Sequence, residues 1–177
     1  MNKKTIYIIV AVLIVMIVVA AAAILLMNNG GGGGTTPTPT PTAAPTLTVV
    51  GASTLEFSVA ETTNGALVTY NFAVKNVNTT TEVLRMDIPG GSVGNYSYII
   101  NLGDSTSYLS LDKGTTWTAS DFNTDSSYIV AFADYVSNLV NWDGHAATYS
   151  YTASNGASIV ISAIHVNPTL ADSIFAH

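Results

Sequence analysis

The stretch 54-TLEFSVAETTNGALVTYNFAVK-75 decides how this chain folds. Leu55, Phe57 and Val59 alternate with Glu56 and Ser58, and Val68, Tyr70, Phe72 and Val74 alternate with Thr69, Asn71 and Lys75. A period of two sends successive side chains to opposite faces of a strand, so each run has one apolar and one polar face. Asn64-Gly65 between the runs is a turn pair. The segment therefore reads as two antiparallel strands on a sheet that is wet on one side.

Moving outward, Leu84, Met86 and Ile88 alternate with Arg85 and Asp87, and Tyr96, Tyr98, Ile100 and Leu102 continue the rhythm after Gly90-Gly91. The segment 101-NLGDSTSYLSLDKGTTW-117 adds two short strands, with tight turns at Gly103-Asp104 and Lys113-Gly114. One segment changes period: Ile129, Phe132, Ala133, Val136, Leu139 and Val140 follow helical spacing, with Asp125 or Ser126 as its cap and Asn141-Trp142-Asp143-Gly144 as its end. A final hairpin sets Ala147, Tyr149 and Tyr151 against Ile159, Ile161 and Ala163 across the Asn155-Gly156 turn. The expected fold is mainly β with one inserted helix and about seven antiparallel strands. One helix cannot cover seven strands laid flat, so the sheet is expected to curl into a half-barrel or to leave apolar surface for a ligand. Trp117 and Trp142 are expected between helix and sheet.

Toward the N-terminus the composition changes twice. Ile6 to Met27 carries no charge and follows Lys3 and Lys4. Twenty-two residues at about 1.5 Å each match the roughly 30 Å bilayer core, and positive flanks stay cytoplasmic. The rival reading is a cleaved signal peptide, which a shorter apolar core would suit better. Residues 28–46 hold Gly30 to Gly34 and then TTPTPTPTAAPT, a flexible joint followed by a polyproline-like spacer whose Thr hydroxyls could carry sugar. The expected organisation is a transmembrane anchor over 1–27, a spacer over 28–46 and an extracytoplasmic β-rich domain over 47–177. This gives a single-pass cell-membrane protein with its N-terminus cytoplasmic and its C-terminal domain extracellular, and the lipid bilayer as partner through residues 6–27.

Charge and motifs exclude several functions. Past the anchor, Lys75, Arg85 and Lys113 stand against eleven acidic residues, a net charge of −8 with the histidines neutral. Nucleic-acid binding needs basic groups to neutralise phosphate, so no nucleic-acid partner is expected. No cysteine is present, which rules out disulfides and thioether lipidation. His145, His165 and His177 have no ligand-spaced partners, and Asp121 with Asp125 does not make a calcium loop. No GxSxG elbow occurs, so no catalytic residue, metal site or cofactor is assigned, and the chain reads as a non-enzyme.

Aromatic residues are the remaining lead. Phe57, Tyr70, Phe72, Tyr96, Tyr98, Tyr149 and Tyr151 lie on strands, where they either pave a concave ligand-facing surface or pack as ordinary sheet side chains. Asn78-Thr79-Thr80 and Asn95-Tyr96-Ser97 match the N-glycosylation pattern, making Asn78 and Asn95 the candidate acceptors.

The segments TLEFSV, YNFAVKNVNTTTEVLRMDI and YIINLGDSTSYLSLDKGTTWT, with the closing VNPTLADSIFAH, resemble a group of archaeal membrane-anchored surface proteins of uncharacterised role. More distantly, the succession YIIN, SYLSL, GTTWT, then a helix and a hairpin, is similar to the lipoprotein-carrier fold of LolA. That second likeness implies a curled sheet closed by helices around a lipid-holding cavity. The expected function is accordingly non-catalytic binding of a lipid or other hydrophobic small molecule by a membrane-tethered domain. The alternative is a structural or adhesive cell-envelope protein with a packed core, in contact with envelope partners.

Overall fold

The computed structural model describes residues 47–91 and 94–177. They form one eight-stranded antiparallel sheet: β1 (Thr54–Thr63), β2 (Ala66–Lys75), β3 (Val83–Gly91), β4 (Gly94–Asn101), β5 (Thr106–Ser110), β6 (Thr118–Ala119), β7 (Thr148–Thr152) and β8 (Ser158–Val166). Between β6 and β7 come the short helix α1 (Phe122–Asp125) and the helix α2 (Ser127–Leu139). The strand order is β6-β5-β4-β3-β2-β1-β8-β7, so consecutive strands are neighbours except where β8 returns beside β1.

The opening hairpin has the register its alternation requires. Leu55 faces Val74, Phe57 faces Phe72 and Val59 faces Tyr70. Asn64 and Gly65 both take positive φ, 52° and 80°, the handedness of a two-residue loop that matches strand twist. Phe72 continues to Met86 and Val74 to Leu84, while Leu84 continues to Ile100. On the other side Val59 meets Ile161, which meets Tyr149. These rows form the inner face. A bulge in β8, with Ala163 at φ 51°, turns that residue to solvent rather than onto the apolar face expected for it.

Helix α2 closes the inner face. Ile129, Phe132, Tyr135, Val136 and Leu139 recur at helical spacing and are its buried residues. The Asp121 carboxylate caps α1 by accepting from the Asn123 N–H. Asp125 and Ser126 do not provide the side-chain cap expected of them: Ser126 stands at the N-cap without such a bond, and the buried Asp125 accepts from Ser107 Oγ of β5 at 2.6 Å. Helix and sheet are thus tied at that margin by a polar link.

The outer face has its own cover. After β8 the chain crosses the strands instead of extending them. Asn167 Oδ1 accepts from the Ser53 N–H at 2.8 Å, and Thr54 Oγ1 donates to the Pro168 carbonyl at 2.9 Å. Lys75 of β2 pairs with Asp172 and lies 4.6 Å from the Phe175 ring centroid. Arg85 Nη1 of β3 donates to the Ile174 carbonyl at 2.8 Å, and Tyr108 of β5 stacks on His177 with centroids 3.5 Å apart. Register places Ile99 between Arg85 and Tyr108 on this face, and Ile99 is buried while lying outside the helix-side core. The segment VNPTLADSIFAH is therefore a strap laid over the sheet, containing a 3₁₀ turn at Asp172–Phe175.

Three expectations are corrected. The sheet is open, with β6 and β7 as separate edges, and is not a curled half-barrel of the LolA type. Its margins carry half-buried Tyr149, Tyr151 and Leu109 and the hydrogen-bonded Ser107, so they do not demand the cover that seven fully apolar strands would. Trp142 does pack on the core, but Trp117 sits on the outer side against Arg85, with 5.8 Å from its ring to the guanidinium carbon. The expected anchor over 6–27 and spacer over 28–46 lie outside the described residues. Among the described residues no helix is long and apolar enough to cross a membrane, α2 having thirteen residues. The single-pass topology, the bilayer as partner and the extracellular placement therefore have no helix to rest on among the described residues.

Phe132→Ala should lower stability by roughly 3–5 kcal/mol in urea unfolding, the range for truncating a packed core phenylalanine. Deleting residues 172–177 should cost roughly 1.5–3 kcal/mol by returning Ile99 to water, with a single cooperative transition retained. Unchanged stability after that deletion would show that the strap does not cover Ile99.

Candidate functional site

The seven aromatic candidates fall on or beside the inner face. Phe57 and Phe72 are buried, with centroids 5.4 Å apart, and Phe132 of α2 lies 5.7 Å from each. Tyr70 packs on Phe72 at 6.2 Å, and Tyr98 packs on Tyr128 at 5.0 Å. Tyr149 and Tyr151 lie 6.1 Å apart at the β7 margin, and the Tyr151 hydroxyl donates to Asp134 at 3.4 Å. Burial, with Asp134 nearby, pushes the Tyr151 phenol well above its usual range. The Tyr135 hydroxyl donates to Glu61 Oε2 at 3.1 Å, and burial raises its pKa also. These hydroxyls join the helix to the strands through carboxylates. Tyr96 alone of the seven is absent from the core's packed margin, and it borders a cavity near the start of β4. Lipid binding within the sheet is thus corrected: the helix's own side chains occupy the space a ligand would need.

Outside the core, two cavities open on the polar face. One, of about 240 Å³, is lined by Arg85, Asp87, Asn95, Ser97 and Lys113, among others. The other, of about 200 Å³, is lined by Glu56, Ser58, Asn71, Asp87 and His165. Alternation explains why these residues meet. Ser58, Asn71, Asp87 and Ser97 form one row across β1 to β4, and Glu56, Ala73 and Arg85 form the next. Within them Ser58 Oγ donates to Asn71 Oδ1 at 2.7 Å, and His165 Nδ1 lies 3.2 Å from Glu56 Oε2.

Arg85 is held from several sides. Its Nε donates to both Asp87 oxygens, at 3.3 and 3.2 Å, in addition to the strap contact. Gly114, at φ +82°, leaves room for the guanidinium: a Cβ there would stand 2.9 Å from Arg85 Nη2. Beside it Asp112 organises the turn that carries Lys113. Asp112 accepts from Thr116 N–H at 2.8 Å, Ser110 Oγ at 2.7 Å, Thr116 Oγ1 at 2.7 Å and Thr115 N–H at 3.1 Å, which holds its carboxyl down at about 2.

A further perturbed group lies in the turn after β2. Glu82 is 4% exposed, and its carboxylate accepts from the Asn78 N–H at 2.7 Å. Burial pushes its pKa up to about 7, against the opposing effect of that hydrogen bond. The glycosylation candidates lie nearby and at the cavity: Asn78 is half-buried at φ 59°, and Asn95 Oδ1 accepts from Gly90 N–H at 3.1 Å. The histidines stay apart from one another, with His177 against Tyr108, His165 beside Glu56 and His145 in the Asp143 turn. Among the described residues no three His, Cys, Asp or Glu side chains gather as a metal site.

Arg85, Lys113 and Asp87 were not singled out by the sequence reading. The one available signal was that Arg85 and Asp87 share the polar face of a strand two residues apart, and that Lys113 opens a tight turn. No family model, curated protein or solved structure matches the chain. The resemblance to archaeal surface proteins rests on its quoted residues alone.

Below about pH 4.5, Glu82 is protonated in both folded and unfolded chains. Between that pH and about 7 the unfolded chain releases the proton and the folded one keeps it, so stability falls as pH rises and the loss is complete above about 7. Glu82→Gln should remove this decline. Comparing urea unfolding at about pH 5 and about pH 8, the variant should lose roughly 2–3 kcal/mol less than the parent. An identical pH dependence would contradict the shift.

Proposed function

We propose that residues 47–177 form a non-catalytic structural or adhesive module that holds no ligand in its core and acts through its surfaces. The observation that carries this reading is the placement of Phe132 against both Phe57 and Phe72, which fills the face of the sheet beneath α2 with the protein's own side chains. Dense packing of this kind resembles an organic crystal and leaves no room for an acyl chain. The free edge at β7 adds to it. Thr148, Ser150 and Thr152 are exposed, and among the described residues β7 pairs only with β8. An unpaired edge can accept another strand, and a short polar one limits uncontrolled association.

Organic extraction of the fragment Leu47–His177 recovered from its native host, followed by mass spectrometry, should yield no lipid in reproducible stoichiometry. A lipid recovered at about one per chain, and displaced by Phe132→Trp, would overturn the packed-core reading.

A further inference from the structure

The polar face of the sheet carries more chemistry than a packed module needs. Asp87 lines both cavities, of about 240 and 200 Å³, so they are neighbours on this face on either side of one carboxylate. Residues 47–177 have three basic side chains, and two of them, Arg85 and Lys113, line the same cavity. In a chain of net charge −6 this is a local reversal of sign, placed in a concavity where field lines concentrate. Arg85 is fixed by Asp87, the Ile174 carbonyl and the Trp117 ring, while the Asp112 turn sets the backbone from which the exposed Lys113 extends. Among the described residues Lys113 has no ion-pair partner. Asn95 gives its oxygen to Gly90 N–H, which leaves its amide nitrogen for an incoming acceptor.

The second cavity has a different character. Ser58, Asn71, His165 and Glu56 offer donors and acceptors side by side, beside the small residues Ala73 and Ala163 and lining contributed by Phe57 and Phe72. A lipid there would strip water from these groups without replacing the hydrogen bonds. A polyanion would meet Asp87 and Glu56 as well as the net charge. A hydroxyl both donates and accepts, so a hydroxyl-rich ring satisfies both kinds of group, and the small residues let it lie close.

We propose that the two neighbouring cavities bind a saccharide bearing one carboxylate, with the carboxylate at Arg85 and Lys113 and a neutral ring in the second cavity beside Ser58, Asn71 and the Glu56–His165 pair. This rests on the non-catalytic reading above only for the fate of the ligand. Recovery of the sugar intact supports that reading, whereas cleavage overturns it and leaves the site assignment standing.

The test titrates the full-length chain by calorimetry with three singly carboxylated disaccharides of different linkage, cellobiouronic acid among them, and with neutral cellobiose. At least one acidic disaccharide should bind, at least about tenfold tighter than its neutral counterpart, and Lys113→Gln should remove most of that preference. Lys113 is exposed, so this substitution leaves the core untouched. Thermal unfolding of the variant at the parent's midpoint confirms that binding, and not folding, has changed. Four results overturn the proposal: no binding of any acidic disaccharide at millimolar concentration; equal binding of cellobiose; unchanged affinity in Lys113→Gln; or tighter binding of sulfate or of a glutamate-rich peptide than of the sugars.

Discussion

Phe132 sits on α2 with its ring 5.7 Å from both Phe57 and Phe72, nearly parallel to the first and tilted to the second. Those two rings come from adjacent strands held in register by the Asn64-Gly65 turn. A one-residue slip in that register would turn one of the two rings to the solvent face and break the contact Phe132 makes with the pair. The inner face, the position of the helix and the absence of space for an internal ligand all depend on this three-ring contact. Around it, Leu55, Val59, Val74, Leu84, Met86 and Ile100 are each essentially inaccessible to water. Burial on this scale is what a chain without cysteines has for stability.

The two faces of the sheet are finished by different means. The inner face is sealed by the amphipathic helix α2, with polar anchors at its margins: Asp125 of α1 to Ser107, and Tyr135 of α2 to Glu61. The outer face is crossed by the strap, which uses few apolar atoms and many specific ones: an Asn side chain at one end, an ion pair and a guanidinium–carbonyl bond in the middle, and a stacked imidazole at the other. The strap covers the outer face around Ile99, and the two cavities open beside it. Arg85 belongs to both halves, since the strap's Ile174 carbonyl holds the same guanidinium that lines the cavity.

Much of the fold was legible because its signals are local. Alternation marked the long strands, helical spacing marked α2, and Asn-Gly pairs marked two hairpin turns, each a property of neighbouring residues. The final hairpin formed with Tyr149 facing Ile161 and Tyr151 facing Ile159. The sheet stays open where apolar alternation predicts a curl because its inner positions do not all need apolar cover. Ser107 donates to Asp125, and the marginal Tyr151 keeps its hydroxyl at the Asp134 carboxylate, so an open sheet costs little at its edges. The aromatic candidates were identified on the correct strands, but periodicity does not say whether a helix or a ligand lies above them.

By itself, the sequence determined the strands, the helix, the turn positions and the acidity, because each depends on residues close together along the chain. The tertiary structure alone decided what fills the inner face, that VNPTLADSIFAH lies across the outer one, and that Arg85 and Lys113 share a cavity. Arg85 and Ile174 are 89 positions apart. Contacts of that kind are set by how strands order themselves in a sheet, which no local pattern encodes.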